Sequence, residues 1–114
     1  MSITEVENYA DLVSIINNNE GKDVIVDFYA EWCKPCIKML PLFKNVSEKH
    51  SHVIFVKINV DIAEDAAEKL KVASIPNILY FTNKVLQPKH NKKGVMSESD
   101  LDNLIEVPKI TDDF

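Results

Sequence analysis

Two segments of the chain are almost continuously apolar, and both have the length of a buried strand. Residues 22–30 and 53–60 are short and rich in β-branched side chains, as strands covered on both faces are. Weaker patterns predict three more strands. These are a segment over residues 2–6 in which apolar and polar residues alternate, a strand over residues 77–82, and an antiparallel edge strand over residues 85–90. An edge strand tolerates Pro88, which lacks the N–H of a ladder donor.

Apolar side chains three or four positions apart predict helices between these strands. The four segments are residues 8–19, 34–49, 62–71 and a last helix that contains Leu101, Leu104 and Ile105. Pro41 lies inside the second of them, where we expect a kink, and residues 97–100 have the sequence of a cap for the last. Strands that alternate with helices predict an α/β domain, and the final hairpin predicts a mixed sheet.

Length, composition and charge limit the classes of protein. The 114 residues fit one domain, which we expect over residues 1–109, followed by a short acidic tail over residues 110–114. The share of 46% hydrophobic residues is ordinary for a soluble globular protein. A net charge of −5 argues against nucleic acid or an anionic membrane as the main partner. We expect a monomer.

The start of the sequence lacks the pattern of a secretory signal. Residues 1–10 carry two glutamates and no lysine, whereas a signal begins with positive charge before an apolar stretch. No apolar run approaches the roughly 18 residues of a membrane span. We therefore expect a cytoplasmic protein, in which a cysteine pair is more often catalytic or metal-binding than structural.

The candidate chemistry lies in the only two cysteines, Cys33 and Cys36, which follow the first apolar segment. If a helix begins between them, their sulfurs share a face and their Cα atoms lie about 5–6 Å apart, within the range of a disulfide. The free N–H groups at a helix start lower the pKa of a thiol. Cys33, partly exposed at the helix end, is thus the expected nucleophile. Cys36, one turn further in, is the expected resolving cysteine.

The residues between the cysteines agree with a redox site. Pro35 suits the first turn of a helix, where its missing N–H costs little, and Lys34 adds a positive charge beside the nucleophile. Zinc is one alternative. A structural zinc site needs four ligands, and the chain adds only His50, His52 and His90, which we interpret as solvated loop residues. An inert cysteine pair is the other alternative.

Each long apolar segment contains one charged residue in its interior. Asp27 lies six residues before Cys33 in a run without alternation, so we expect it to be buried rather than to face solvent. Loss of hydration raises the pKa of a carboxyl group, and such a group can exchange a proton with the resolving thiol. If the two strands are neighbours, Lys57 moderates the pKa of Asp27. A lysine that extends from a strand edge into solvent is an equal alternative.

From Val26 to Cys36 the sequence reads VDFYAEWCKPC, which resembles the active-site strand and motif of the thioredoxin family. Further landmarks follow in the family's order, namely Pro41, residues 57–61, Ser74-Ile75-Pro76 and Gly94. The resemblance implies the thioredoxin fold, with a central mixed sheet of about five strands flanked by about four helices.

The resemblance also implies a substrate site around the cysteines. The sequence alone does not decide the isomer of the Ile75–Pro76 bond, because only about 5–6% of such bonds are cis. The resemblance implies that it is cis and that Pro76 faces the disulfide, which keeps metal from the thiols. The implied substrate-binding residues are Trp32, Lys34, Pro35, Ile75, Pro76, Gly94 and Val95.

In function, the resemblance implies a protein-disulfide reductase with no bound cofactor or metal. A thioredoxin reductase would recharge it with electrons from NADPH, and its substrates would be disulfide proteins such as peroxiredoxins or ribonucleotide reductase. Two other functions stay open. The protein is a disulfide oxidase or isomerase if Lys34 raises its reduction potential, or an interaction subunit whose cysteines are dispensable.

Three positions depart from the family pattern. Lys34 stands where glycine is usual, Tyr29 stands where tryptophan is common, and Thr82-Asn83-Lys84 replaces a hairpin turn that usually contains glycine. Because Asn83 tolerates a positive φ, we still expect a tight turn there. None of the three changes removes a catalytic group.

Overall fold

A mixed six-stranded sheet forms the centre of the computed structural model, which describes residues 3–109. The strands are β1 (Thr4–Val6), β2 (Asp23–Tyr29), β3 (Val53–Asn59), β4 (Asn77–Thr82), β5 (Val85–Leu86) and β6 (Lys92–Lys93). Their order is β1-β3-β2-β4-β5, and β6 also pairs with β4. The first three are mutually parallel in the sheet, whereas β4 runs antiparallel to β2. The mixed α/β sheet is confirmed.

Four helices cover the sheet, as the periodicity predicts. They are α1 (Tyr9–Asn18), α2 (Lys34–Lys49), α3 (Glu64–Lys69) and α4 (Glu98–Glu106). Ser97 caps α4 in a capping box with Asp100, as predicted. Helix α3 is shorter than the predicted 62–71. The N–H groups of residues 62 and 63 instead bond the Asn59 carbonyl in a turn, and Lys71 follows the helix with a φ of 59°. No helix within residues 3–109 has the length and apolarity needed to cross a membrane.

The predicted edge strand over residues 85–90 is wrong in its second half. Val85 and Leu86 pair with β4, and the Gln87 N–H donates to the Tyr80 carbonyl at 2.8 Å. Pro88–His90 then form a 3₁₀ turn before Lys92–Lys93 pair with the start of β4. Proline favours the first position of a helical turn, because its φ is preset and it lacks an N–H. The Asn91 side chain then accepts the Tyr80 N–H at 3.0 Å, which replaces a strand partner there.

The hairpin turn without glycine forms as predicted. Asn83 and Lys84 have φ angles of 48° and 71°, the positive values that a two-residue hairpin loop needs. The Asn83 side-chain oxygen accepts the Gly21 N–H at 2.8 Å. This bond ties the turn to the start of β2.

Two apolar clusters fill the two faces of the sheet. The cluster beneath α2 and α4, on what we call the α2–α4 face, is built around Ile25, Phe43, Phe55, Tyr80 and Leu101. The cluster beneath α1 and α3, on the α1–α3 face, is built around Leu12, Val26, Phe28, Ile58 and Ala66. Strand β2 is buried on both faces, as its continuous apolar run predicts.

Candidate active site

The cysteine pair lies where β2 ends and α2 begins. Cys33 is the N-cap of α2, and its Sγ accepts the Cys36 N–H at 3.3 Å. The two sulfurs form a disulfide, with Cα atoms 5.2 Å apart, as the helical spacing predicts. Cys33 is 6% exposed and Cys36 is fully buried. The order of exposure agrees with our expectation, although Cys33 is more covered than we expected, because Ile75 and Tyr29 pack around the pair.

Asp27 lies in the interior of the sheet, on the same side of β2 as Ile25 and Tyr29. It is 0% exposed, so the prediction of burial is confirmed. Neither carboxylate oxygen has a hydrogen-bond partner among the described residues. Burial raises the pKa of Asp27 from 3.8 to about 7, and the charge of Lys57 opposes this rise. A carboxyl group with such a pKa exchanges protons near neutral pH.

Lys57 occupies the β3 position directly opposite Asp27, because β2 and β3 pair in parallel with Asp27 in register with Lys57. Its ammonium lies 3.8 Å from a carboxylate oxygen of Glu5 and 5.7 Å from the centre of the Tyr29 ring. The Lys57 side chain is 31% exposed. Lys57 therefore both approaches Asp27 and reaches toward solvent, so each of the two sequence interpretations describes part of its environment.

The Ile75–Pro76 peptide bond is cis, as the resemblance implies. The Gly94 N–H donates to the Pro76 carbonyl at 2.8 Å, with Gly94 at a φ of 88° that glycine adopts readily. Ile75 packs against the cluster that contains both cysteines. Pro76 and Gly94 are thus joined directly, and Ile75 connects them to the disulfide.

An exposed apolar surface adjoins the nucleophile. The Trp32 side chain is 69% exposed, and its indole N–H donates to Asp61 at 2.8 Å. A shallow cavity of about 170 Å³ lies beside it. The residues that line this cavity are Trp32, Val60, Val72, Ala73, Ser74 and Ile75. Carboxylate and indole together fix the orientation of an exposed aromatic ring at the mouth of the site.

The predicted substrate-binding residues do not all line one cavity. Lys34 and Pro35 are exposed in the first turn of α2. Val95 is 63% exposed and lines a different cavity, of about 670 Å³, between α4 and residues 89–96. Their roles as substrate contacts stay predictions.

Sequence reasoning assigned no role to two carboxylates, Asp61 and Glu5, although Asp61 is among the landmark residues 57–61. Asp61 follows β3, whose carboxyl end lies beside that of its parallel neighbour β2, and this adjacency is the signal that could have paired it with Trp32. Glu5 lies on β1, in register with Lys57. No pattern in the sequence places β1 next to β3.

The histidines of the zinc alternative are divided between two places. The rings of His50 and His52 lie 6.0 Å apart, and His50 Nε2 lies 3.0 Å from an oxygen of Asp102 on α4. His90 is buried beside Tyr80, so its interpretation as a solvated loop residue is wrong. Within residues 3–109, no three histidine, cysteine, aspartate or glutamate side chains are grouped as metal ligands.

The disulfide lies at the start of a helix that its more exposed sulfur caps, and a buried carboxyl group lies in the preceding strand. This arrangement is that of a redox-active cysteine pair. The sequence model of the family described as Thioredoxin matches residues 2–107. The chain belongs to the thioredoxin family.

Individual relatives agree with this assignment. Thioredoxin of Mycoplasmoides gallisepticum is 32% identical over 101 residues, which cover 89% of this chain and 97% of that protein. Thioredoxin-1 of Caenorhabditis elegans is 38% identical over 74 residues, which cover 65% of this chain. A crystal structure of Schistosoma mansoni thioredoxin has a TM-score of 0.84 at 33% identity, and the match covers 93% of this chain and 97% of that one.

The length matched differs widely among the curated relatives. The chain spans 64% of Caenorhabditis elegans Thioredoxin-1. It spans only 14% of a peptide-N(4)-(N-acetyl-beta-glucosaminyl)asparagine amidase from the same organism, to which it is 29% identical over 85 residues. A domain of this family therefore also occurs as a small part of a much larger protein.

Proposed function

We propose that the protein reduces disulfides of other proteins through a dithiol–disulfide cycle of Cys33 and Cys36. One observation carries this proposal. The two cysteines form a disulfide at the first turn of α2, and the more exposed sulfur is the one that receives a backbone N–H. That N–H and the helix start favour a thiolate at Cys33 once the disulfide is reduced.

The cycle transfers two electrons. The Cys33 thiolate attacks one sulfur of a substrate disulfide; the substrate S–S bond breaks, a mixed disulfide forms and a substrate thiolate leaves. Asp27, as carboxylate, then takes the proton of the Cys36 thiol, and the Cys36 thiolate attacks the Cys33 sulfur. The second substrate sulfur leaves as a thiolate. Asp27 releases the proton that it took from Cys36, and the two substrate thiolates take up this proton and one more from water. The substrate is reduced to a dithiol and the protein is oxidised to its disulfide.

Electrons for the next cycle would come from NADPH through a thioredoxin reductase, so the protein itself needs no bound cofactor. The proposed substrates are disulfide proteins that include peroxiredoxins or ribonucleotide reductase. A solved structure described as showing thiol resolution in a yeast mitochondrial 1-Cys peroxiredoxin shares the fold, with a TM-score of 0.80 at 24% identity. We place the activity in the cytoplasm, and we propose that the protein acts as a monomer.

Insulin reduction by the purified protein, with NADPH and with or without a thioredoxin reductase, tests the proposal. We expect turnover that depends on both the reductase and NADPH. Equilibration with a glutathione buffer separates the alternatives, because the low-potential disulfide of a reductase stays oxidised at a poise where the higher-potential disulfide of an oxidase is already reduced. Full biological function in a Cys33→Ser, Cys36→Ser double variant would instead identify an interaction subunit.

The order of the two cysteines is tested by trapping. We expect Cys36→Ser to accumulate a mixed disulfide through Cys33, because the first attack proceeds and the resolving thiol is missing. Mass spectrometry of the trapped complex identifies the linked cysteine. Cys33→Ser is the matched control, and complexes trapped through Cys36 in that variant would reverse the assignment.

A further inference from the structure

We propose that Glu5 is a positioning residue for the resolving step, because it shares the charge of Lys57 with Asp27. This inference rests on the proposed function, in which Asp27 accepts the proton of Cys36. Glu5 touches neither cysteine. Its influence passes through the lysine between the two carboxylates.

The three groups form a row across three neighbouring strands. Glu5 on β1 is in register with Lys57 on β3, and Lys57 is in register with Asp27 on β2. The Glu5 carboxylate, the Lys57 ammonium and the Asp27 carboxyl group thus follow one another across the sheet, where neighbouring strands lie about 4.8 Å apart. In this row of described residues, Lys57 is the cation between the two carboxyl groups.

Lys57 forms an ion pair on the Glu5 side of this row. Its ammonium is 3.8 Å from a Glu5 oxygen, whereas the Asp27 oxygens have no hydrogen-bond partner among the described residues. Because Glu5 and Lys57 are 35% and 31% exposed, water screens their attraction only in part. Glu5 therefore holds the ammonium short of direct contact with Asp27.

Tyr29 fixes Glu5 in this position. The Tyr29 hydroxyl donates to the second Glu5 oxygen at 2.7 Å, and the ring lies beneath the Lys57 ammonium. Burial and then the hydrogen bond to Glu5 raise the pKa of Tyr29 above its usual value, so the hydroxyl keeps its proton. One Glu5 oxygen is thus occupied by Tyr29, and the other faces Lys57.

Few charges reach Asp27 from the elements packed around it. Lys57 faces it from β3, the Tyr29 hydroxyl lies on the same side of its own strand, and the two cysteines lie at the start of α2 above. Its β4 partner, Ile78, is apolar. A change in the position or pairing of Lys57 therefore changes the pKa of Asp27, because no other described cation faces this carboxyl group.

Glu5→Gln tests the proposal, because glutamine keeps the shape and an oxygen for Tyr29 but removes the charge. We expect Lys57 to stabilise ionised Asp27 more strongly, which lowers the pKa of Asp27. A shift of about 0.5 pH unit, or roughly threefold in the ionised-to-protonated ratio, is the expected size. NMR titration of the Asp27 carboxyl carbon in the oxidised protein measures it without any assay of activity.

Two further variants make the test specific. Glu7→Gln is the matched control, because Glu7 is an exposed glutamate just beyond β1 with no ion pair among the described residues, and we expect it to leave the Asp27 titration unchanged. In a Lys57→Met background, the shift caused by Glu5→Gln should largely disappear. An unshifted titration in Glu5→Gln, or the full shift without Lys57, would overturn the proposal.

The pH dependence of single-turnover insulin reduction connects this positioning role to the reaction. We expect its acidic limb to move to lower pH in Glu5→Gln, in parallel with the Asp27 titration. If the unaltered protein reduces insulin but Glu5→Gln does not shift the titration of Asp27, only the role of Glu5 is contradicted. If the unaltered protein does not reduce disulfides, the proposed function is contradicted. The titration of Asp27 in the Glu5 and Lys57 variants still tests the role of Glu5 in that case.

Discussion

The two sides of strand β2 are equally buried and chemically different. On the α1–α3 face, β2 presents Val24, Val26 and Phe28, each at most 1% exposed. On the α2–α4 face it presents Ile25, Asp27 and Tyr29, so a carboxyl group and a hydroxyl lie in the half of the strand nearest the cysteines. One strand thus supplies a purely apolar layer to one side and a polar row to the other.

The difference shows what allows a carboxyl group to be tolerated in a core. Asp27 has a lysine in register on the neighbouring strand, and it remains protonated below about pH 7. Val26, one residue earlier, has Val56 and Leu79 in register. Burial alone therefore does not make a proton-transfer group. A buried carboxyl group also needs one nearby charge that keeps its pKa within reach of neutral pH.

The largest expected effect comes from moving a carboxyl group to the apolar side. Val26→Asp places it between Val56 and Leu79, without a described cation in register, so we expect a loss of more than about 4 kcal/mol in the free energy of unfolding at pH 8. Urea denaturation followed by circular dichroism measures it. Val26→Asn is the matched control for shape. Equal stability of the two variants at pH 8 would show that the charge itself costs nothing on the apolar side, and would contradict this prediction.

A second prediction removes the charge where it is tolerated. Since the pKa of Asp27 is raised in the folded protein, Asp27 stabilises the fold most when protonated, and stability falls as pH rises from about 4 through about 7. At about 1.4 kcal/mol per pH unit, the loss reaches up to about 4 kcal/mol. We expect Asp27→Asn to be more stable than the unaltered protein at pH 8 by up to that amount, and similar to it at pH 4.

Urea titrations at the two pH values provide this comparison. Other groups that titrate in the range are present in both proteins, so the difference between them isolates Asp27. A stability difference that does not change between pH 4 and pH 8 would contradict the raised pKa.

The smallest expected effect lies at the end of the polar row. Tyr29→Phe keeps the ring and removes the hydrogen bond to Glu5, for which we expect a loss of about 1 kcal/mol in the free energy of unfolding. Thermal and urea denaturation at pH 7 measure it. Tyr9→Phe is the matched control, because the Tyr9 hydroxyl forms no hydrogen bond among the described residues. Equal losses in both variants would mean that the Glu5 contact adds no stability.

Features set by local sequence were predictable. The unbroken apolar run predicted that β2 is buried on both sides, and the change from this continuous run to helical spacing placed the start of α2 at Lys34. The burial of Asp27 followed from the same lack of alternation. The cis bond at Pro76 came from family resemblance, because local sequence does not distinguish the isomers.

Features set by strand order were not predictable. The partners Glu5 and Tyr29 lie 24 residues apart, and they meet only because β1 pairs with β3 and β3 with β2. The strand prediction for the segment after β5 was wrong for a local reason. A proline and an asparagine side chain replaced strand pairing with a 3₁₀ turn and a side-chain hydrogen bond, and both outcomes fit the same polar sequence. The tail over residues 110–114 lies outside the described residues.

The Cys33 sulfur that caps α2 gives the helix and the reaction a common atom. Serine is among the preferred cap residues and alanine is not. Cys33→Ser therefore removes the nucleophilic sulfur but leaves an oxygen that can accept the Cys36 N–H. Cys33→Ala removes both the nucleophile and the cap acceptor. Hydrogen exchange at the Cys36 amide therefore reports how firmly the first turn is held as the sulfur changes from disulfide to thiol. The redox state of the protein can be read from the backbone of a single helical turn.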